Sequence, residues 1–235
     1  MKVDIWSDVV CPWCYIGKRR FESALADFAH RDQVQVRWRS FELDPTTQDR
    51  GQEDLTGRLA RKYGISREQA GTMNSRVSTA AAAEGLQYRL DIARPTNTLD
   101  AHQLLHLAAE HGLQDQLKER LMAAYFTQGA ALNDRETLLQ LAEEVGLDRT
   151  AAAAALDQEA FVSAVREDET EAAQLGISGV PFFVLDGRLG VSGAQPPALF
   201  LEALDAAWKE ANPPPALNTI GGQGPNCEDG SCEIA

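Results

Sequence analysis

Cys11-Pro12-Trp13-Cys14 near one end of the chain and Cys227-Glu228-Asp229-Gly230-Ser231-Cys232 near the other account for all four cysteines of the 235 residues. Two thiols separated by two residues can close a bridge while only one of them meets a partner. That is the arrangement for dithiol exchange, with one sulfur attacking and the other resolving. Cys11 falls where a strand pattern gives way to a helical one. The first turn of a helix has unpaired N–H groups and the positive end of the dipole, so it favours an anion. Pro12 is preset for that turn and loses no needed donor there. The expectation is an exposed Cys11 nucleophile with a lowered pKa, resolved by Cys14.

The second pair follows a Pro- and Gly-rich linker, residues 212–226 (NPPPALNTIGGQGPN). Fifteen residues can span up to about 50 Å, enough to return to the first pair. Glu228, Asp229 and Glu233 flank the tail thiols and disfavour their thiolates. A reduced Cys227 or Cys232 is thus expected to attack an oxidised Cys11–Cys14 bridge and expel Cys11, the better leaving group. Two other readings stand beside this relay. The tail thiols are incidental, or both pairs together hold zinc, since Cys-x2-Cys with Cys-x4-Cys falls within zinc-ligand spacing.

Composition narrows the classes. Lys plus Arg number 22 and Asp plus Glu 35, a formal net charge of −13. That charge argues against nucleic acid or an anionic membrane as partner. With 44% apolar residues the chain can bury a core. Four cysteines are too few for a disulfide scaffold. The opening MKVDIWSDVV has Asp4 and Asp8 where an export signal needs an apolar run, and no stretch approaches a membrane span. A cytoplasmic location is expected, where paired cysteines are catalytic or metal-binding more often than structural.

The elements that must position Cys11 can be read from periodicity. Residues 3–9 form a strand, and Tyr15, Phe21, Leu25 and Phe28 recur at helical spacing to about His30. Residues 33–43 alternate as a second strand, closed by Asp44-Pro45. From 53 to 155 helix follows helix, with Gly64, Gly85, Gly112 and Gly146 as stops. A further helix spans about 157–175. Residues 181–185 and 188–191 flank Asp186-Gly187 as a hairpin, and a last helix covers about 197–210. The order without the helical block is β-α-β, then α-β-β-α.

CPWC after a first strand, with Val180-Pro181 before a late hairpin, resembles the thioredoxin superfamily, and the long helical block resembles its DsbA branch. The phrases SDVVCPWCYIGKRRFE, VRWRSFELDP, NTLDAHQLLHLA and SGVPFFVLDGRLGVSGAQ are similar to the FrnE-type, DsbA-like cytosolic oxidoreductases over residues 1–210. The resemblance implies an α/β thioredoxin-like fold, with residues 1–52 and 156–210 as the thioredoxin-like part. Residues 53–155 would be an all-helical insertion and 211–235 a flexible tail. It implies a cis Val180-Pro181 peptide facing Cys11, with Pro181 at the catalytic centre. Val180, Pro12, Trp13 and His102 would then contact substrate. It also implies a thiol-disulfide oxidoreductase or isomerase acting on protein disulfides or thiols, with glutathione or a thioredoxin-type protein as reductant. No dissociable cofactor and no metal is expected, because the cysteines carry the electrons.

Asp8 could exchange the Cys14 proton, but a surface position at the strand end is the plainer reading. Trp13 stands where DsbA-type motifs often place His, which implies a less oxidising couple. His102, His106 and Glu110 share a helix face at metal-compatible spacing, although a half-buried amphipathic face explains them as well. Lys18, Arg19 and Arg20 read as a solvated face. Two other functions compete. Glutathione-dependent isomerases and kappa-class transferases share the insertion but typically carry Ser where Cys11 stands. A metal or redox sensor would use the tail pair as a switch.

Overall fold

The computed structural model describes residues 1–47 and 54–213. The tail pair, Cys227 and Cys232, therefore lies outside the described residues, as do nearly all of the expected tail and the start of the expected insertion.

Strand β1 (Lys2–Ser7) leads into helix α1 (Pro12–Asp27), which returns through a short 3-10 turn to β2 (Gln35–Ser40). β1 and β2 pair in parallel, with Val3 opposite Val36 and Ile5 opposite Trp38. The helical block follows: α2 (Leu55–Tyr63), α3 (Arg67–Ala83), α4 (Leu99–Glu110), α5 (Gln114–Ala123), α6 (Arg135–Glu144) and α7 (Arg149–Asp157). A single π-helical segment, Ala124–Gln128, extends α5. α8 (Val162–Gln174) then precedes β3 (Phe182–Leu185), β4 (Leu189–Ser192) and α9 (Pro197–Ala211). The sheet order is β2-β1-β3-β4, with β3 antiparallel to both neighbours. This is the α/β thioredoxin-like order with a helical block between β2 and β3.

Local chemistry sets the boundaries. Asp186 and Gly187 both have positive φ, 52° and 72°, which a two-residue hairpin of this twist requires. Gly64, Gly85, Gly112 and Gly146 all lie in the left-handed region at helix ends. Asp54, Asp134 and Asp148 each accept the N3 amide of the following helix, and Ser66 with Gln69 forms a capping box. Several boundaries differ from the periodic reading; β1 and β2 are shorter than expected, at Lys2–Ser7 and Gln35–Ser40. α1 ends at Asp27 because Phe28 is already extended. The helix expected from 157 starts at Val162, after a turn in which Glu159 takes φ 50°.

Two apolar clusters divide α1 between them. Phe21, Ala24 and Phe28 pack with Ile5, Phe183, Phe200 and Leu204, the core between sheet, α1 and α9. Phe183 and Phe200 meet edge to face at 4.5 Å between centroids. The first turns of α1 belong elsewhere. Cys11, Cys14, Tyr15 and Ile16 share a core with Leu104, Leu117, Leu121 and Phe126 of the helical block.

The charged residues of α1 hold that contact. Lys18 is not solvated: it is 2% exposed and faces Glu22, Asp115 and Glu119. Arg19 pairs with Glu119 of α5. Arg20 Nε bonds Glu84 at 2.6 Å and its Nη1 donates to the Ala194 carbonyl at 2.7 Å. Glu22, one turn on in α1, is a local partner of Lys18 and Arg19; Asp115, Glu119, Glu84 and the Ala194 carbonyl come from distant parts of the chain, which no local pattern reveals.

Candidate functional site

Cys11 is the N-cap of α1, with extended backbone (φ −86°, ψ 114°), and Pro12 opens the helix. The Cys11 amide donates to the Asp8 carbonyl at 3.3 Å and the Cys14 amide to the Cys11 carbonyl at 3.0 Å. This turn fixes both sulfurs on the side of α1 that meets the helical block. Both are free thiols and both are buried, Cys11 at 4% exposure and Cys14 at 0%. Trp13 alone in the motif stands out, 41% exposed.

Val180-Pro181 is a cis peptide. The Cys11 thiol donates to the Val180 carbonyl at 3.5 Å, so the loop before β3 and the start of α1 meet at the sulfur. Gly17 permits this approach: a Cβ there would lie 2.9 Å from Pro181 Cγ. The sequence signal was a glycine inside a helical pattern, which marks close packing. Tyr88, from the segment after α3, donates its hydroxyl to the Pro12 carbonyl at 2.7 Å and stacks on Phe126 at 4.6 Å. Neither Gly17 nor Tyr88 stood out in the sequence, because their partners are 164 and 76 residues away in the chain.

Asp8 is not at the surface. It is 1% exposed, and its Oδ2 accepts the Leu43 amide at 2.8 Å. Burial pushes its carboxyl up. The His102 hydrogen bond and charge, the Leu43 amide and the Lys118 ammonium together outweigh burial and hold it below its ordinary value. The His102 ring is fully buried behind Asp8, with Nε2 3.4 Å from Asp8 Oδ1. The face of α4 that carries His102, His106 and Glu110 is half-buried, from His102 in the core to an exposed Glu110. His106 turns to a different carboxylate, Asp168, at 3.2 Å. Among the described residues no cluster of three or more metal-ligating side chains forms.

The expected depression of the Cys11 pKa is reversed in this dithiol geometry. The hydrogen bond shared with Cys14, then burial, then the Cys14 charge push the Cys11 thiol well up, and Asp8 adds to them. The Cys14 amide at the helix start pulls the other way and is outweighed. Two buried sulfurs side by side cannot both be anions, so the pair carries one negative charge at most near neutrality.

A cavity of about 310 Å³ opens beside Cys11. Asp8, Pro12 and Val180 line it on the thioredoxin-like side, and Leu59, Val77 and Phe126 on the helical side. Trp13, Tyr63 and Met73, three exposed large apolar side chains, also border it, as do Arg58 and Lys62. The arrangement can present one sulfur to a bound disulfide while the second waits behind it.

Comparison with known proteins agrees with this geometry. Residues 2–205 match the family model described as DSBA-like thioredoxin domain. The uncharacterized protein YwbO of Bacillus subtilis is 27% identical over 210 residues, covering 88% of this chain and 98% of its own. The solved structure described as a "probable DsbA oxidoreductase SCO1869", from Streptomyces coelicolor, is 45% identical with a TM-score of 0.84, covering 100% and 99% of the two chains. The cytosolic disulfide reductase DsbM of Pseudomonas aeruginosa, also solved with GSH, shares the fold at 18% identity and a TM-score of 0.63, covering 89% and 100%. With its β-α-β and β-β-α halves, its helical block and its paired thiols at the start of α1, the chain belongs to the DSBA-like thioredoxin domain family of thiol-disulfide oxidoreductases.

Proposed function

We propose that the protein is a cytoplasmic enzyme that exchanges disulfides of protein substrates through the Cys11–Cys14 pair. The observation that carries this reading is the meeting of Cys11 Sγ with the Val180 carbonyl, 3.5 Å away, at the mouth of the cavity. An extended substrate strand running past Val180 brings its disulfide against Cys11. The Cys11 thiolate attacks one substrate sulfur, forming a mixed disulfide and releasing the other as a thiolate. Cys14 then loses its proton to solvent, with the Asp8 carboxylate as relay, and attacks Cys11. The Cys11–Cys14 disulfide forms and the second substrate thiolate leaves. Substrate is reduced by two electrons and the pair is oxidised by two. Pro12 and Trp13 flank the attacking sulfur, and Trp13 supplies exposed apolar contact.

The reverse reaction needs a dithiol or two thiol molecules to reload the pair. The glutathione form of the Pseudomonas aeruginosa protein supports glutathione for this role, with a thioredoxin-type protein as the other source. The tail cysteines fit an internal relay, Cys227 or Cys232 attacking the oxidised pair. The acidic flanks of the tail support slow, directed exchange and not independent catalysis. A glutathione transferase or isomerase fits less well, because Cys14 in contact with Cys11 diverts a bound glutathione into exchange. Insulin reduction tests the main reading: Cys11→Ser is expected to abolish it, and retained activity overturns it. A Cys227→Ser/Cys232→Ser variant with unchanged turnover and redox poise removes the relay and leaves the rest.

A further inference from the structure

Helix α5 turns Leu117, Lys118, Leu121 and Met122 into the core. Lys118 is 0% exposed, an ammonium among leucines. Its Nζ donates to the Ser7 carbonyl at 3.1 Å, its one hydrogen bond among the described residues, although an ammonium has three donors. The Trp38 ring lies 5.5 Å away. Lys18, the other buried lysine, shows what an ordinary buried cation looks like here, with three carboxylates around it. Among the described residues no carboxylate lies within ion-pair distance of Lys118, and burying a cation without one is costly. Compensation comes from charges farther off, Asp8 among them.

Ser7 supplies the direction. It ends β1, one residue before Asp8 and four before Cys11, so the ammonium is tied to the strand end that carries the pair. The charged groups that act on Lys118 are Cys14 from the first turn of α1, Asp8 from the turn after β1, Cys11, and Lys18 farther along α1. We propose that Lys118 is a positioning residue for the dithiol: contributed by the inserted helix α5, whose Leu117, Leu121 and Met122 share a core with Cys11 and Cys14, it is the fixed counter-charge for the thiolate that the reduced pair forms on ionising. The proposal rests on that pair being the redox couple.

The redox balance makes Lys118 state-dependent. When a dithiol reductant reduces the Cys11–Cys14 bridge, the reductant becomes a disulfide and gives up two electrons and two protons. Where the reduced pair ionises, one proton stays on it as a thiol, one is released to solvent, and the pair carries one negative charge. In the disulfide form that charge is gone and Asp8 is the only anion left beside the ammonium. Burial already pushes the Lys118 pKa down to about 8, against the pull of Cys14, Asp8 and Cys11. Lys118 must therefore hold its proton more tightly in the reduced protein than in the oxidised one, and by linkage its proton must favour the reduced pair.

Two measurements on the full chain test this. In the wild type, nuclear magnetic resonance of labelled lysine ε-methylenes follows Lys118 through pH in both redox states. A titration midpoint higher by about one pH unit in the dithiol form is expected; identical midpoints overturn the proposal. In Lys118→Met, which removes the charge and keeps an apolar chain of similar length, thiolate ultraviolet absorbance against pH is expected to shift upward. The equilibrium with a glutathione buffer should move about tenfold toward disulfide, which is about 30 mV. An unchanged titration and an unchanged equilibrium in this variant also overturn it. Neither readout depends on turnover. A wild-type pair that cannot be cycled between dithiol and disulfide instead defeats the oxidoreductase reading itself.

Discussion

At its C-terminal half α1 buries Phe21, Ala24 and Phe28 against Phe183, Phe200 and Leu204. At its first turn the same helix buries Cys11 and Cys14 among leucines of the inserted block, with Asp8, His102 and Lys118 all at or below 1% exposure nearby. One half is apolar and aromatic, where burial alone stabilises. The other spends stability on buried charge, and those charges set which sulfur ionises and where its proton goes. The two halves share a helix, yet folding strength and chemistry are housed at opposite ends of it.

That division can be broken from either side. The largest effect is expected from Cys11→Ser, which should lower disulfide turnover by about 1000-fold or more while the melting temperature stays within a few degrees of wild type. Phe183→Ala attacks the other end. It should cost about 3–5 kcal/mol in denaturant unfolding and, in the folded fraction, leave the thiolate titration where it was. A shifted titration there would show that the two ends are coupled.

Asp8→Asn sharpens the contrast within the polar end. Rapid-quench trapping should show the mixed disulfide resolving about 100-fold more slowly at neutral pH. The same substitution changes acid stability in a defined direction. The Asp8 carboxyl is held below its ordinary value of 3.8, so its contribution is fully present above that value and is lost as pH falls through the lower folded value. The acid limb of the stability curve should flatten in the variant. The smallest effect is expected from Gly17→Ala, whose Cβ meets the Pro181 ring. A fall in kcat/KM of about tenfold or less, with little change in stability, would place Gly17 with the chemistry. A large loss of stability would place it with the apolar half.

The elements around Cys11 were legible because their signals are local. The alternation over 33–43, the Asp186-Gly187 turn and the glycine stops each depend on a few neighbouring residues, and the folded chain keeps them, with the strand shortened to Gln35–Ser40. CPWC at a strand-to-helix junction was legible for the same reason. Burial of charge was not. Lys18 and Lys118 look alike in sequence, each within a helix rich in charged residues, yet one meets three carboxylates and the other none. Asp8 was read as a surface residue and His102 as a substrate contact; both side chains are buried and face each other.

Sequence by itself determined the paired thiols, the helix start that carries them and the β-α-β, α-β-β-α order, because backbone preference and hydrophobic period act over a few residues. Only the tertiary structure decided the electrostatics of the pair. The Val180 carbonyl, Asp8, the Leu43 amide and Lys118 come from four separate places in the chain. Their influence on a buried sulfur depends on distance and dielectric, which exist only once the helical block has closed over the start of α1.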